Sequence, residues 1–476
     1  MRYDAVVIGS GPNGLAAAIT VALAGRSVLV LEGAETPGGG LRSEALTLPG
    51  CVHDVCASVH PFAVGSPFFR SLPLEDHGLE WIQPEIPFAH PLGGERIAVA
   101  RRSLDETAEG LGADGPAYRR LLGHIVRGWE PLAREVLGPV IHLPSRPLRL
   151  ARFGIQALRS VVALARSQFR TAEARALFAG AGSHSVVPLN RPGTAAFALL
   201  LAGSAHACGW PFARGGSRAL AGALVSLLES LGGEIRTGVS VGSLDELPPA
   251  RAVLCDVTPR QFLALAGARL PEGYRRCLER FRYGPGAFKL DWTLDGPIPW
   301  LAEEARRAGT LHIGGTLDDV AAAEAAPWRG RVAEQPFLIL AQPSVFDPTR
   351  APAGLHTAWA YCHVPNGSAE DATERIEAQV ERFAPGFRDR IVARHRLAPA
   401  DFERHNPNLV GGDLAAGAMN LPQLIFRPVP SLHPYDTPLP GVFLCSASTP
   451  PGGGVHGMCG HRAARRALET VLKGRR

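Results

Sequence analysis

Hydrophobic and polar positions follow two rhythms along this chain of 476 residues. The first is that of strand–helix–strand units, and it opens the molecule. Residues 4–8 form a short β-branched apolar run that predicts a buried strand, 13–24 predict a helix stopped by Gly25, and 27–31 predict a second strand. From 62 to about 205 the pattern changes to helices with proline-rich joints. Within it, 148–170 sets Arg152, Arg159, Arg166 and Arg170 on one helical face, with Leu150, Phe153, Ala157, Val161 and Leu164 opposite. The first rhythm then returns with a helix over 218–231 and strands at 234–237, 239–244 and 252–255. Residues 288–295 alternate without a miss and predict a half-exposed antiparallel strand. Further strands are expected at 310–317, 336–342 and 356–363, and a helix at 368–383. The chain closes as it began, with an apolar strand at 441–446, a glycine turn at 450–454 and a helix from 455 to about 473.

The opening unit carries chemistry. Gly9, Gly11 and Gly14 form a GxGxxG turn between strand and helix, with Pro12 and Asn13 inside it. Gly9 permits the tight turn, Gly11 leaves room for a pyrophosphate against the backbone, and Gly14 lets the helix pack on the strand. The free N–H groups of the helix then face the phosphates. The second strand ends on Glu32, followed by Gly33, where a carboxylate can accept both hydroxyls of an adenosine ribose and would repel a 2′-phosphate. A second glycine turn, Gly38-Gly39-Gly40-Leu41, is closed by Arg42, a charge-assisted donor within reach of the same pyrophosphate.

Length implies about two or three domains. The 46% hydrophobic and 20% charged residues are an ordinary globular balance, and a net charge of +5 argues against nucleic acid as a partner. The uncharged stretch 192–213 is continuously apolar only over 195–202, so a buried helix and turn are expected there rather than a membrane span. A strand beginning by residue 4 leaves no room for a leader, and eight scattered cysteines without a CxxC pair read as reduced thiols. A cytoplasmic location is therefore expected. No zinc-ligand pattern appears, so no metal is expected. Cys51 and Cys56 have the spacing of a C-x4-C redox pair, but eleven residues separate Gly39 from Cys51. The Gly180-Ala-Gly182 stretch lacks the third glycine of a second nucleotide turn.

Taken together, residues 9–32, Gly38-Gly39 with Arg42, Cys51-Val-His-Asp54 with Ala57-Ser58, Gly215-Gly216, Gly232-Gly233, 346–349, Gly411-Gly412-Asp413, Arg427-Pro428, Tyr435 and 441–457 resemble the phytoene-desaturase-type flavoproteins. The likeness is greatest to their phytoene-dehydrogenase-related branch. The resemblance implies an α/β fold with a Rossmann-like, glutathione-reductase-type FAD domain, discontinuous over 1–65, 206–275 and 425–476. An inserted α+β substrate domain would span 66–205 and 276–424. It implies FAD lined by Gly9, Gly11, Pro12, Asn13, Gly14, Glu32, Gly33, Gly38, Gly39, Leu41, Arg42, Ser58, Val241, Ala447, Gly454 and Val455. The last helix would aim its N-terminus at the reduced flavin. Many such proteins end the last strand in Gly-Asp; here Ser446-Ala447-Ser448 stands instead, so hydroxyl or backbone groups must replace that carboxylate.

The expected function is an FAD-dependent oxidoreductase that removes hydride from C–H bonds of a hydrophobic, isoprenoid- or lipid-like substrate and passes electrons to oxygen, a quinone or another acceptor. His456 is the candidate acid–base residue. Two alternatives remain, a thiol–disulphide flavin reductase using Cys51 and Cys56 and a flavin-stabilised interaction protein without turnover. The arginine face of 148–170 adds the expectation of peripheral membrane contact.

Overall fold

The computed structural model describes residues 3–473. Two sheets carry the fold. A five-stranded, all-parallel sheet runs in the order Val442–Leu444, Ala250–Cys255, Tyr3–Ile8, Val28–Leu31, Glu234–Arg236, so chain segments far apart in sequence meet in one layer. Its central strands, Tyr3–Ile8, Val28–Leu31 and Ala250–Cys255, are short and mostly apolar because both faces are covered, whereas the edge strand Glu234–Arg236 is largely exposed. The Pro12–Leu23 helix lies on one face, and its small residues Gly14, Ala16, Ala17 and Ala18 are fully or almost fully buried. That small-residue surface lets the C-terminal helix, Met458–Glu469, cross it at close range. At Gly460 a Cβ would run into the Asn13 carbonyl and lie 3.0 Å from the Ala17 nitrogen.

A seven-stranded sheet runs in the order Ile391–Leu397, Gly286–Leu294, His356–Val364, Leu338–Ala341, Ala308–Ile313, Ile86–Gly93, Arg96–Ala100. Only the Ala308–Ile313 and Ile86–Gly93 pair is parallel. Between residues 104 and 207 the chain is helical, and the Thr194–Ala207 helix lies inside this layer as the apolar run at 195–202 requires. No described helix is long and apolar enough to cross a membrane.

Several local expectations change. Gly286–Leu294 is buried along its whole length rather than half-exposed. Phe288, Leu290, Trp292 and Leu294 enter a core with Ile376, Val380 and Phe387, whereas the polar alternates meet a buried charged layer instead of water. In that layer Lys289 pairs with Asp291 and donates to the Asp54 carbonyl at 3.0 Å. Asp54 accepts from Ser43 at 2.6 Å, from Ser58 at 2.6 Å and from the Ser217 N–H at 2.7 Å. Arg350, fully buried, bridges Asp54 at 3.0 Å and Asp347 at 3.1 Å. Burial alone would raise the Asp54 carboxyl; Arg350 and the three donors outweigh it and hold it at about 2.

Residues 239–244 form no strand; they start on the Val239 N–H bonded to the Glu32 carbonyl at 2.8 Å and end in a 3-10 turn that begins at Leu244. The 148–170 stretch is two helices, Pro147–Ala157 and Val161–Gln168, because Ser160 caps the second through the Ala163 N–H. The final helix begins at Met458, three residues later than the pattern predicts, after Gly457 at φ +66°.

Candidate active site

Both glycine turns converge on the C-terminal edge of the parallel sheet. Gly9 adopts φ +95° and donates to the Leu31 carbonyl at 2.8 Å. At Gly14 a Cβ would strike the Gly9 carbonyl oxygen, so this position must lack a side chain for the helix to start where it does. The second turn docks on the first: Gly39 sits at φ +54°, where a Cβ would lie 3.0 Å from the Gly11 Cα. The Gly38 N–H reaches the Ser10 carbonyl at 3.1 Å. Glu32 stands at the end of Val28–Leu31. It accepts from the Ser10 N–H at 2.8 Å, the Ser10 hydroxyl at 2.6 Å and the Ala34 N–H at 2.9 Å. Of about four acceptor positions on a carboxylate, these use three, so holding a ribose by both hydroxyls requires Ser10 to release one.

Asp256 is the residue that the sequence reading did not single out. It follows Ala250–Cys255, the strand beside Tyr3–Ile8, and its Oδ2 accepts from the Gly14 N–H at 2.9 Å. A Cβ on Gly11 would come within 2.7 Å of that oxygen. Burial pushes the Asp256 carboxyl up to about 7; the Gly14 N–H lowers it and the nearby Glu32 raises it further.

From this turn a cavity of about 330 Å3 extends toward the large sheet. Gly11, Gly40 and Gly454 lie at one part of its lining, and Phe197, Leu201, Trp210, Ile339 and Trp359 at another. Trp359 and Tyr361 stack with centroids 6.1 Å apart. The residues fit a dinucleotide: two glycine turns leave backbone exposed where side chains could not stand, and the buried Asn13, which lines the cavity, has an Oδ1 without a partner among the described residues. A profile described as an NAD(P)-binding Rossmann-like domain matches residues 7–71. Along nearly the whole chain, the sequence is 26% identical to a phytoene desaturase (lycopene-forming) of Pseudescherichia vulneris, covering 97% of this chain and 98% of the other. A phytoene dehydrogenase of Streptomyces griseus is likewise 26% identical, over 82% of this chain and 77% of the other. The chain is also 26% identical to pyridine nucleotide-disulfide oxidoreductase domain-containing protein 2 of Rattus norvegicus, over 97% of this chain and 93% of that one. Its fold is that of putrescine oxidase, with a TM-score of 0.63 at 17% identity over 99% of this chain and all of the other. These relationships make the chain an oxidoreductase of the flavin-dependent type.

Pro12, Ser58, Ala447 and Val455 line the same cavity as Gly11, Asn13 and Gly454. Gly9, Gly14, Gly38, Gly39 and Leu41 build the turns behind it, with Leu41 fully buried. The Ser58 hydroxyl is already engaged, donating to Asp54 and accepting from Trp359 Nε1 at 3.2 Å, so it orients the aromatic wall. Arg42 braces the second turn, donating to the Gly39 carbonyl at 3.1 Å and the His405 carbonyl at 2.7 Å. Val241 packs against Val6, Leu29 and Leu31, and a Cβ on Gly33 would come within 3.3 Å of the Ser240 hydroxyl. Where Ser446-Ala447-Ser448 replaces Gly-Asp, the Ser448 hydroxyl is spent on the Ala416 carbonyl at 2.8 Å, leaving the backbone and Ser446 at the lining.

His456 is buried and engaged by the protein itself. Its Nδ1 accepts from the Met458 N–H at 3.0 Å, its Nε2 meets the Gly452 carbonyl at 3.2 Å, and burial lowers it to about 4. It fastens the turn before the last helix. Cys51 and Cys56 are free thiols; only Cys56 lines the cavity, and burial pushes it up to about 11. Among the described residues no group of three or more His, Cys, Asp or Glu could hold a metal ion.

Proposed function

We propose that the protein is an FAD-dependent oxidoreductase that takes hydride from a C–H bond of a hydrophobic substrate and returns the electrons to oxygen, a quinone or another acceptor. The observation that carries this reading is the single cavity joining the glycine turns to an aromatic and aliphatic wall. FAD bound there would supply a two-electron hydride acceptor. The chain's contribution is position. Gly11, Gly14 and Gly39 admit a pyrophosphate, Asn13 and Glu32 offer acceptors to its hydroxyl and amide groups, and Phe197, Leu201 and Ile339 exclude water from an apolar substrate. Holding the C–H bond in line replaces a protein nucleophile. The thiol alternative has little support from Cys56, which is a thiol and not a thiolate at neutral pH. The test is direct: purified protein should show flavin absorbance and release FAD on heating, and isoprenoid or lipid extracts should bleach it without oxygen. A folded protein that takes up no FAD on reconstitution would overturn the reading.

We further propose that the face around 143–158 touches an anionic lipid surface. Leu143, Leu148, Ile155 and Leu158 are 97%, 87%, 68% and 57% exposed, and Arg146 and Arg152 are exposed beside them in the chain. Two of the other three arginines of the predicted stripe serve the protein itself: Arg166 pairs with Asp318 at 2.6 Å and Arg159 bonds Ser167 at 2.8 Å. Exposed leucines beside arginines suit the headgroup boundary. The protein should sediment with phosphatidylserine vesicles at low salt, and Leu148→Asp with Ile155→Asp should abolish this; wild type remaining in the supernatant ends the proposal.

A further inference from the structure

One part of the cavity is polar, and its polar groups have no work within the protein. Thr310, 1% exposed, lines the cavity, and its Oγ1 has no hydrogen-bond partner among the described residues. Tyr361 and His184, both half-buried, line the same cavity, and neither the Tyr361 hydroxyl nor the His184 Nδ1 has a hydrogen-bond partner among the described residues. Sheet register brings them together. His312, Ile339 and Tyr361 form one row across three paired strands, and Thr310 shares a face with His312 two residues along.

The histidine pair has a preferred tautomer. His184 Nε2 and His312 Nε2 lie 2.9 Å apart, so one donates to the other. His312 Nδ1 is buried without a partner, against Gly180, where a Cβ would come within 2.6 Å of it. An N–H at that position would be a buried donor with nothing to receive it, a cost of about 1–3 kcal/mol. The His312 proton therefore sits on Nε2 and is given to His184 Nε2, which leaves the His184 proton on Nδ1. Burial lowers His184 to about 3 and His312 well below its usual value, so both rings are neutral. What remains is an imidazole N–H and two hydroxyls, set in a wall of Phe197, Leu201, Trp210 and Ile339.

We infer that the substrate is an apolar molecule bearing an oxygen acceptor, a carbonyl or hydroxyl, which His184, Thr310 and Tyr361 bind while the hydrocarbon body packs on the aromatic wall. This rests on the flavin oxidoreductase reading above and narrows its substrate. A pure hydrocarbon would cover the three polar groups without pairing them, which disfavours it relative to an oxygenated analogue.

The experiment is calorimetric titration of the flavin-bearing protein with matched pairs. Benzylacetone, cyclohexylacetone and β-ionone are each set against the hydrocarbon of the same carbon skeleton. At least one ketone should bind tenfold or more tighter than its hydrocarbon, a difference of about 1.4 kcal/mol. In Thr310→Val combined with Tyr361→Phe, both near-isosteric, that preference should fall at least fivefold with flavin absorbance unchanged. Equal binding within every pair, no binding by any ketone, or a preference unaltered in the double variant overturns the inference alone. Protein that carries no flavin before titration takes down the parent reading, and this one with it.

Discussion

Asp256→Asn replaces a buried carboxyl with a group of the same shape that never ionises. The Gly14 N–H still finds an oxygen acceptor, so the turn is kept. In the wild type the carboxyl rises from an ordinary 3.8 to about 7 on folding. The native state therefore holds a proton that the unfolded chain has released over that interval. Stability from this group is complete below 3.8, declines as pH rises, and is lost once pH passes about 7. At about 1.4 kcal/mol for each tenfold change in acidity, the decline amounts to about 4 kcal/mol. The asparagine variant has no such slope. Urea unfolding of the two flavin-free proteins, followed by tryptophan fluorescence at about pH 4 and about pH 8, isolates the group because every other ionisation is common to both. The variant should gain on the wild type by several kcal/mol between the two conditions. A pyrophosphate on the glycine turn adds negative charge beside the same carboxyl, so FAD affinity of the wild type should fall above neutral pH while that of the variant stays level. A stability difference that does not change with pH would refute the account of Asp256.

Gly460→Ala forces the last helix off the Pro12–Leu23 helix and should cost about 1–3 kcal/mol, read as a lower melting temperature together with weaker flavin retention. Arg350→Met leaves Asp54 and Asp347 buried without their cation and should cost about 3–5 kcal/mol; a loss under about 1 kcal/mol in urea unfolding would show that the pair is compensated elsewhere. Because Asp54 is held at about 2 against an ordinary 3.8, its contribution is present above 3.8 and disappears as pH falls toward 2, so acid unfolding should begin later in Asp54→Asn than its neutral-pH stability predicts. Cys51→Ser with Cys56→Ser should leave turnover within about twofold, since Cys56 is pushed up to about 11; abolished turnover would restore the thiol reading.

Glu32 was legible because strand, turn, helix and strand follow one another within forty residues and each part constrains the next. Asp256 carries the same signal, an acid directly after a buried apolar strand, but its meaning depends on the parallel strand order that sets it beside Gly14, 242 positions away. Alternation over 288–295 identified a strand correctly and misjudged its surroundings, since a polar face toward water and one toward a buried ionic layer share one pattern. Periodicity likewise could not see the break inside 148–170, where a single Ser160 cap starts a new helix. His184 belonged to what looked like a failed glycine turn. It stands just past the Ala172–Ser183 helix, and only the cross-strand register brings His312 and Tyr361 to the same cavity.

The ionic layer beneath the cavity limits how such a protein can be recombined. Asp54, Ser217, Lys289, Asp291, Asp347 and Arg350 come from widely separated parts of the sequence, yet each of these charges has its partner only when the set is assembled. A chimera that took residues 276–424 from a relative while keeping the rest would bring Lys289, Asp291, Asp347 and Arg350 to a foreign Asp54 and Ser217. Any mismatch would strand a full charge in the interior, where no solvent can reach it. Exchange of substrate specificity between relatives must therefore proceed through the cavity wall, residue by residue, rather than by transplanting whole segments.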